Sequence, residues 1–228
     1  MKNNKMTNRR SFLKTSGATA IAGTIAALTL NSAEQNEKPI KIIGVSCSPR
    51  KGMTTAKAVQ IALDAAKTVS PRIQTELIDL GGLKISGYSP QPVQDDFNQI
   101  LPKLQDPALG GLIIGSPSYF RGMSSLCKAF IERCAPLREP KMLLANKPVG
   151  IVAVGAFRNG GQELTIEQIQ AAMLCFGMIP VGGNAPAFQG ATLVSTKDDI
   201  SDDQLGIDTA KKLGIHLAEI AVKLAATM

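Results

Sequence analysis

Strand-like and helix-like segments take turns about five times from Pro39 to the last residue, and this alternation most constrains the fold. Lys41-Ile42-Ile43-Gly44-Val45-Ser46 is a continuous β-branched run, suited to a strand buried on both faces. Thr54 to Val69 then reads as a helix, with Ala58, Ile61, Ala62, Ala65 and Ala66 on one side. Further strands are expected over 73–80, 111–115, 147–154 and 178–181, and further helices over 94–104, 124–134, 164–176 and 202–226. The last helix carries Leu213, Leu217, Ile220 and Leu224 at helical spacing. The pattern predicts an α/β three-layer sandwich, a five-stranded parallel sheet with helices on both faces.

Residues 1–33 stand outside that pattern. Asn8-Arg9-Arg10-Ser11-Phe12-Leu13-Lys14 precedes an uncharged stretch from Thr15 to Leu30, the layout of a secretory signal. The stretch is too short and too rich in Gly and Thr for a good membrane span. The arginine pair followed by Phe-Leu-Lys resembles the twin-arginine signal of bacterial export. The expectation is therefore a periplasmic or otherwise exported protein that meets the twin-arginine export machinery. Asn31-Ser32-Ala33 is the candidate cleavage site, and an uncleaved segment leaves a membrane tether. Residues 34–38 read as a polar linker and 39–228 as the folded domain.

The net charge of +7 belongs mostly to the signal. Lys2, Lys5, Arg9, Arg10 and Lys14 are its five cations and it has no acid, which leaves 20 basic against 18 acidic residues elsewhere. A nearly neutral body, 4% aromatic and without Trp, argues against a nucleic-acid surface.

The most informative segment is Ser46-Cys47-Ser48-Pro49-Arg50-Lys51-Gly52-Met53-Thr54-Thr55, between the first strand and the first helix. A loop there presents backbone N–H groups and the positive end of the helix dipole. Ser48, Thr54 and Thr55 add hydroxyls and Arg50 a planar cation, the equipment for a terminal phosphate. The nucleoside-triphosphate spacing Gly-x-x-x-x-Gly-Lys-Ser/Thr and the dinucleotide pattern Gly-x-Gly-x-x-Gly are both absent. An ordinary capped turn is the plain alternative, since Ser and Thr are common helix caps.

The run Gly44 to Thr55 resembles the Gly-Ser-Pro-Arg-x-Gly-Ser-Asn-Thr loop of the NADPH-dependent FMN reductase family, within the flavodoxin-like superfamily. Cys47 replaces a usual Gly and Met53 a usual small polar residue. Gly115-Ser116-Pro117-Ser118-Tyr119-Phe120-Arg121-Gly122-Met123-Ser124, after the third strand, is similar to the family segment that borders the flavin ring. Gly155-Ala156-Phe157-Arg158-Asn159-Gly160-Gly161-Gln162-Glu163, after the fourth, resembles the family's glycine-rich third loop.

The resemblance implies a flavodoxin-like fold that holds FMN through Ser48, Arg50, Thr54 and Thr55 at the phosphate. Pro117, Ser118, Tyr119, Phe120, Gly155, Ala156, Gly160 and Gly161 would lie beside the ring, with the amides of Gly155, Gly160 and Gly161 at its polar edge. It further implies an NAD(P)H-dependent reductase passing electrons to a quinone or flavin, with a homodimer as a family-level expectation. A non-enzymatic electron carrier or flavin-binding module is the rival reading; carrier flavodoxins tend to be acidic, which this body is not. The flavin carries the redox chemistry, so no catalytic side chain is assigned.

By pattern the chain also resembles the iron–sulfur flavoproteins, which carry a cysteine cluster after the second strand. Here that region reads Ser86-Gly87-Tyr88-Ser89-Pro90-Gln91-Pro92, without a thiol, so no metal centre is expected. Cys47, Cys127, Cys134 and Cys175 form no C-x-x-C pair. On one helix at ~1.5 Å rise per residue, Cys127 and Cys134 lie about 10 Å apart, too far for a disulfide. Cys127, Cys134 and Cys175 are expected to be buried structural thiols, while Cys47 is a candidate reactive one. His216, the single histidine, sits in the last helix and not at a strand end beside a nucleophile, which argues against a Ser-His-Asp hydrolase.

Overall fold

A computed structural model describes residues 38–227, so the twin-arginine-like segment and residues 34–37 of the linker lie outside the described residues. β1 (Ile40–Ser46), β2 (Ile73–Asp79), β3 (Leu109–Tyr119), β5 (Pro148–Gly155) and β6 (Ile179–Val181) form a parallel sheet in the order β2-β1-β3-β5-β6. The helices are α1 (Thr54–Lys67), α2 (Phe97–Leu104), α3 (Ser125–Arg133), α4 (Gln162–Leu174) and α5 (Gln204–Ala225). This is the expected flavodoxin-like α/β sandwich.

Two apolar layers flank the sheet because β1, β3 and β5 send alternate side chains to opposite faces. Ile43, Val45, Leu112, Ile114, Ile151 and Ala153 pack with residues of α2, α3 and α4, where Phe97 and Phe130 meet edge to face at 6.1 Å. Ile42, Ile113, Val152 and Val154 pack on the other side with Val59 and Leu63 of α1 and Leu213 and Leu217 of α5. Each fully buried aliphatic side chain contributes about 1.5–3 kcal/mol. On that side Gly44 and Gly115 let α1 lie close: a Cβ on Gly115 would stand 2.3 Å from Val59 Cγ2.

The structure differs from the sequence reading at the third and fifth sheet positions. The third strand is longer than expected, since Pro117 still pairs with Val154 before Ser118 and Tyr119 turn back on β4 (Gly122–Met123). Phe120 and Arg121 close that hairpin with φ of 51° and 64°, a left-handed pair their bulk does not advertise. The fifth position is shared by two short strands. β6 pairs with Pro148–Gly150, and β7 (Ala191–Val194), which the pattern did not announce, pairs with Val152–Gly155.

The sheet order reverses at β1, whose chain leaves to β2 on one side while β3 lies on the other. A crevice opens at the carboxyl ends of strands flanking such a switch point, and the three motif loops lie there.

Candidate functional site

The phosphate-loop candidate is braced from below. Gly52 donates its amide to Asp79 Oδ2 at 2.6 Å, and Gly81 donates to Oδ1 of the same carboxylate at 3.2 Å. A Cβ on Gly81 would lie 2.4 Å from both Cα and N of Lys51, so the loop rests directly on the chain leaving β2. Ser48 is buried and its Oγ accepts the Arg50 amide at 3.2 Å, shaping the turn while keeping its own proton to donate.

Residue Met53 precedes α1 and caps it with no side-chain hydrogen bond. The first-turn amides are therefore left for another acceptor. Thr54 and Thr55 begin the helix, both buried, and the hydroxyl of neither forms a hydrogen bond among the described residues. Arg50 projects outward to Asp198, Nη1 to Oδ1 2.7 Å, and that carboxylate, helped by Tyr119, raises its already high pKa.

The other two loops are tied to each other. Ser118 Oγ donates to the Gly160 carbonyl at 2.8 Å and Thr165 Oγ1 lies 3.2 Å from Ser118 Oγ. Gly161, with φ 91°, caps α4 without a side chain, and a Cβ there would meet Arg121 Cα at 2.6 Å. The β3–β4 hairpin thus lies directly on Gly161. Pro117 is buried in the sheet, Tyr119 and Ala156 are exposed, and Phe120 at the hairpin tip is fully exposed. Phe157 is exposed as well. The Gly160 amide is spent on the Phe157 carbonyl at 3.0 Å, and the Gly155 carbonyl accepts the Ser195 amide at 2.8 Å.

Sequence reasoning missed the residues that join these pieces from a distance: Asp79, Gly81, Thr165, Asp198 and the pair of Arg158 with Asp203. Of these only Asp79, a carboxylate closing a strand opposite a glycine-bearing loop, left any local signal.

Two buried side-chain polar atoms lack a partner among the described residues, Ser46 Oγ and Gln162 Oε1. Ser46 ends β1 below the phosphate loop, and Gln162 begins α4 behind Gly155 and Gly160. An uncapped helix start, a planar cation and unspent hydroxyls fit a phosphate, and the flat glycine surface beside exposed aromatics fits a planar ring. The residues present thus fit FMN.

The thiols play a different part. Burial pushes the Cys47 thiol well up, and the neighbouring Cys127, Cys134 and Asp79 push the same way, so its reactive thiolate is scarce. Burial likewise raises Cys134. Cys175, expected inside, is exposed because the last turn of α4 carries it to the solvent side. His216 Nδ1 lies 2.7 Å from the Gly182 carbonyl, a packing role in α5.

Residues 40–192 match the NADPH-dependent FMN reductase family. An iron–sulfur flavoprotein of Methanocaldococcus jannaschii is 39% identical over 81% of this chain and 98% of its own length. One from Methanosarcina thermophila is 35% identical over 76% and 93%. Among solved structures, a flavodoxin, WrbA-like protein from Agrobacterium tumefaciens superposes with a TM-score of 0.58 at 17% identity, covering 82% of this chain and 98% of that one. The cluster in those relatives' name does not fit here. Residues 81–96 contain no cysteine, and the described residues contain no group of three or more His, Cys, Asp or Glu able to hold a metal ion. What remains is the flavin site: the chain belongs to the NADPH-dependent FMN reductase family and is a flavodoxin-like, FMN-dependent reductase.

Proposed function

We propose that the loops after β1, β3 and β5 hold FMN, with its phosphate on 48–55 and its ring against 117–120, 155–156 and 160–161. The observation that carries this is the start of α1, where a side-chain cap is missing and Ser48, Arg50, Thr54 and Thr55 gather round the unspent amides. Ser48, Thr54 and Thr55 would donate to phosphate oxygens, and Arg50 would supply charge. Pro117, Ser118, Tyr119, Phe120 and Ala156 would wall the ring.

The second helix start in the site, Gly161 and the first turn of α4, would face the ring's polar edge. With the Gly160 amide spent on Phe157, the amides at the start of α4 are the better donors there. Gly160 contributes surface and, through Ser118, the fixed spacing of the two walls. Bound there, FMN would supply the redox chemistry of hydride and electron transfer. The chain's own residues would bind and orient it, with the amides at the start of α4 placed to stabilise negative charge at the ring's polar edge.

The finer reading takes NAD(P)H as donor, a quinone or free flavin as acceptor, and a homodimer as the working unit. It also takes residues 1–33 as a twin-arginine signal that delivers the protein folded, with cofactor, to the periplasm; support comes from Arg9, Arg10, Phe12 and Leu13. Nicotinamide nucleotides are cytoplasmic, so an exported form needs another reductant at the same site.

The deciding experiment is the visible spectrum of the purified protein followed by anaerobic NADPH. Flavin absorption that bleaches supports a nicotinamide-dependent reductase, and absorption that persists moves the donor elsewhere. A colourless protein that fails to take up added FMN overturns the reading. Fractionation of cells carrying the Arg9→Lys, Arg10→Lys double variant tests export, which predicts loss of the protein from the periplasm.

A further inference from the structure

Arg50 is the cation assigned to the phosphate in a loop that also holds Lys51, yet its guanidinium is already engaged. Nη1 lies 2.7 Å from Asp198 Oδ1, a residue 148 positions later in the chain. Lys197 and Asp198 form the tip of a tight turn, both left-handed, with φ of 49° and 63°. Thr196 and Asp199 close it in both directions, amide to carbonyl, at 2.8 and 3.0 Å. The Asp199 carboxylate then gathers the amides of Ile200 and Ser201 at 2.8 and 3.2 Å. At the other end the Ser195 amide donates to the Gly155 carbonyl at 2.8 Å, which fastens the turn to the end of β5. A braced support therefore presents the Asp198 carboxylate to the phosphate loop from the end of β7, the neighbour of the strand that carries the third flavin loop.

Carboxylate and phosphate are alternative partners for the same planar fork of donors. A phosphate arriving at the start of α1 must share Arg50 with Asp198 or take it away, and two anions on one guanidinium repel. An ion pair with both side chains about half exposed adds little to stability, so removing it leaves the fold intact.

We propose that Asp198 is a resident competitor for the FMN phosphate: it occupies Arg50 until the phosphate displaces it, and so sets how tightly the cofactor is held and how readily it leaves. This rests on the assignment of Arg50 to the phosphate. It gives the 196–199 turn a part in cofactor exchange that neither the loop motif nor the sheet topology requires.

The test is flavin titration of the full-length apoprotein in four forms: wild type, Asp198→Asn, Arg50→Ala and the double variant, each with FMN and with riboflavin, which lacks the phosphate. Asn tolerates the left-handed backbone at least as well as Asp, and Asp198→Gly serves as a second variant with no left-handed backbone penalty. Asp198→Asn is expected to tighten FMN by roughly two- to ten-fold. Riboflavin affinity should stay unchanged, and Asp198→Asn should have no effect in the Arg50→Ala background. If Arg50→Ala weakens FMN while both Asp198 variants bind it no more tightly than wild type, the competitor role is overturned and the phosphate assignment stands. Tightening of riboflavin to the same degree also overturns it, because the effect then does not involve the phosphate. If Arg50→Ala binds FMN like wild type, the assignment itself falls and the inference with it.

Discussion

Ser118 Oγ donates to the Gly160 carbonyl across 2.8 Å and lies 3.2 Å from Thr165 Oγ1, so one hydroxyl joins the end of β3, the loop after β5 and the first turn of α4. The proposed ring wall is two loops held at a fixed spacing by the Ser118 side chain. Replacing Ser118 by Ala leaves the Gly160 carbonyl without its donor, a loss of about 1 kcal/mol. If that energy holds the wall in its binding shape, FMN affinity falls roughly five-fold. Thr165→Val should do part of the same damage, and the double variant should cost less than the sum. Additive losses in the flavin titration would show that the two hydroxyls act independently.

The phosphate loop depends on a contact that leaves no trace in its own motif. Gly81→Ala places a Cβ 2.4 Å from the Lys51 backbone, and a backbone cannot yield as a side-chain tip does. An overpacked contact of this kind costs about 1–3 kcal/mol, and here it is relieved by pushing the loop outward. Gly52→Ala makes the useful contrast: φ there is 68° and nothing surrounds the new methyl, so it pays only the left-handed backbone penalty of about 1–2 kcal/mol. Both variants should melt at similarly lowered temperatures. Gly81→Ala should lose FMN affinity by roughly tenfold more, and equal affinities in the two would argue that the loop is not braced on Gly81.

What could be read in advance was what is local. The run Ile42-Ile43 and Val45 declares a buried strand, and the passage from that strand through a turn to the helix start at Thr54 is legible because the three are contiguous. β7 could not be read, since four residues following Gly190 carry no period of their own and become a strand only by pairing with Val152–Gly155. The reach of Asp198 to Arg50 and of Thr165 to Ser118 is tertiary, set by which strands end side by side. The left-handed pair Phe120-Arg121 is a third case: neither residue favours that backbone, and the closure of β4 on β3 imposes it. Cys175 failed in the opposite sense, an apolar-looking thiol at a helix end that faces water.

A cysteine-free segment after β2 sets this chain apart from the relatives named for an iron–sulfur cluster, and iron content is the measurement that tests the difference. The segment after β2 takes its shape from carboxylates instead of thiolates. Asp96 Oδ2 accepts the Lys84 amide at 2.7 Å, Asp95 Oδ2 accepts that of Ser86 at 2.9 Å while pairing with Arg133, and Glu132 Oε2 accepts that of Tyr88 at 2.8 Å. Protein purified anaerobically should therefore carry flavin with substoichiometric iron and no acid-labile sulfide, and an iron chelator should leave its spectrum unchanged. Arg133→Met should loosen the segment by more than an exposed ion pair would, because both partners are nearly buried. Proteolysis of residues 84–94 in that variant is the readout. Stoichiometric iron and sulfide would contradict this account of the segment.

Asp203 couples the third flavin loop to α5, and its titration should be visible in acid. It caps the helix by accepting the Gly206 amide at 3.0 Å, accepts the Val194 amide at 2.7 Å, and pairs with Arg158. Burial alone would raise its pKa, but the two amides and the guanidinium outweigh that and hold it below the ordinary 3.8. A carboxylate lowered on folding contributes its stability in full above the unfolded value and loses it as pH falls through the folded one. Asp203→Asn keeps the shape, sacrifices the charge and turns one acceptor into a donor facing an N–H, a cost of about 2 kcal/mol at neutral pH. Denaturant unfolding of wild type and variant should show that gap constant from neutral pH down to the ordinary carboxylate value, then closing as Asp203 of the wild type takes up its proton. A gap that persists to about pH 2 would mean that the capping geometry, not the charge, is what Asp203 provides.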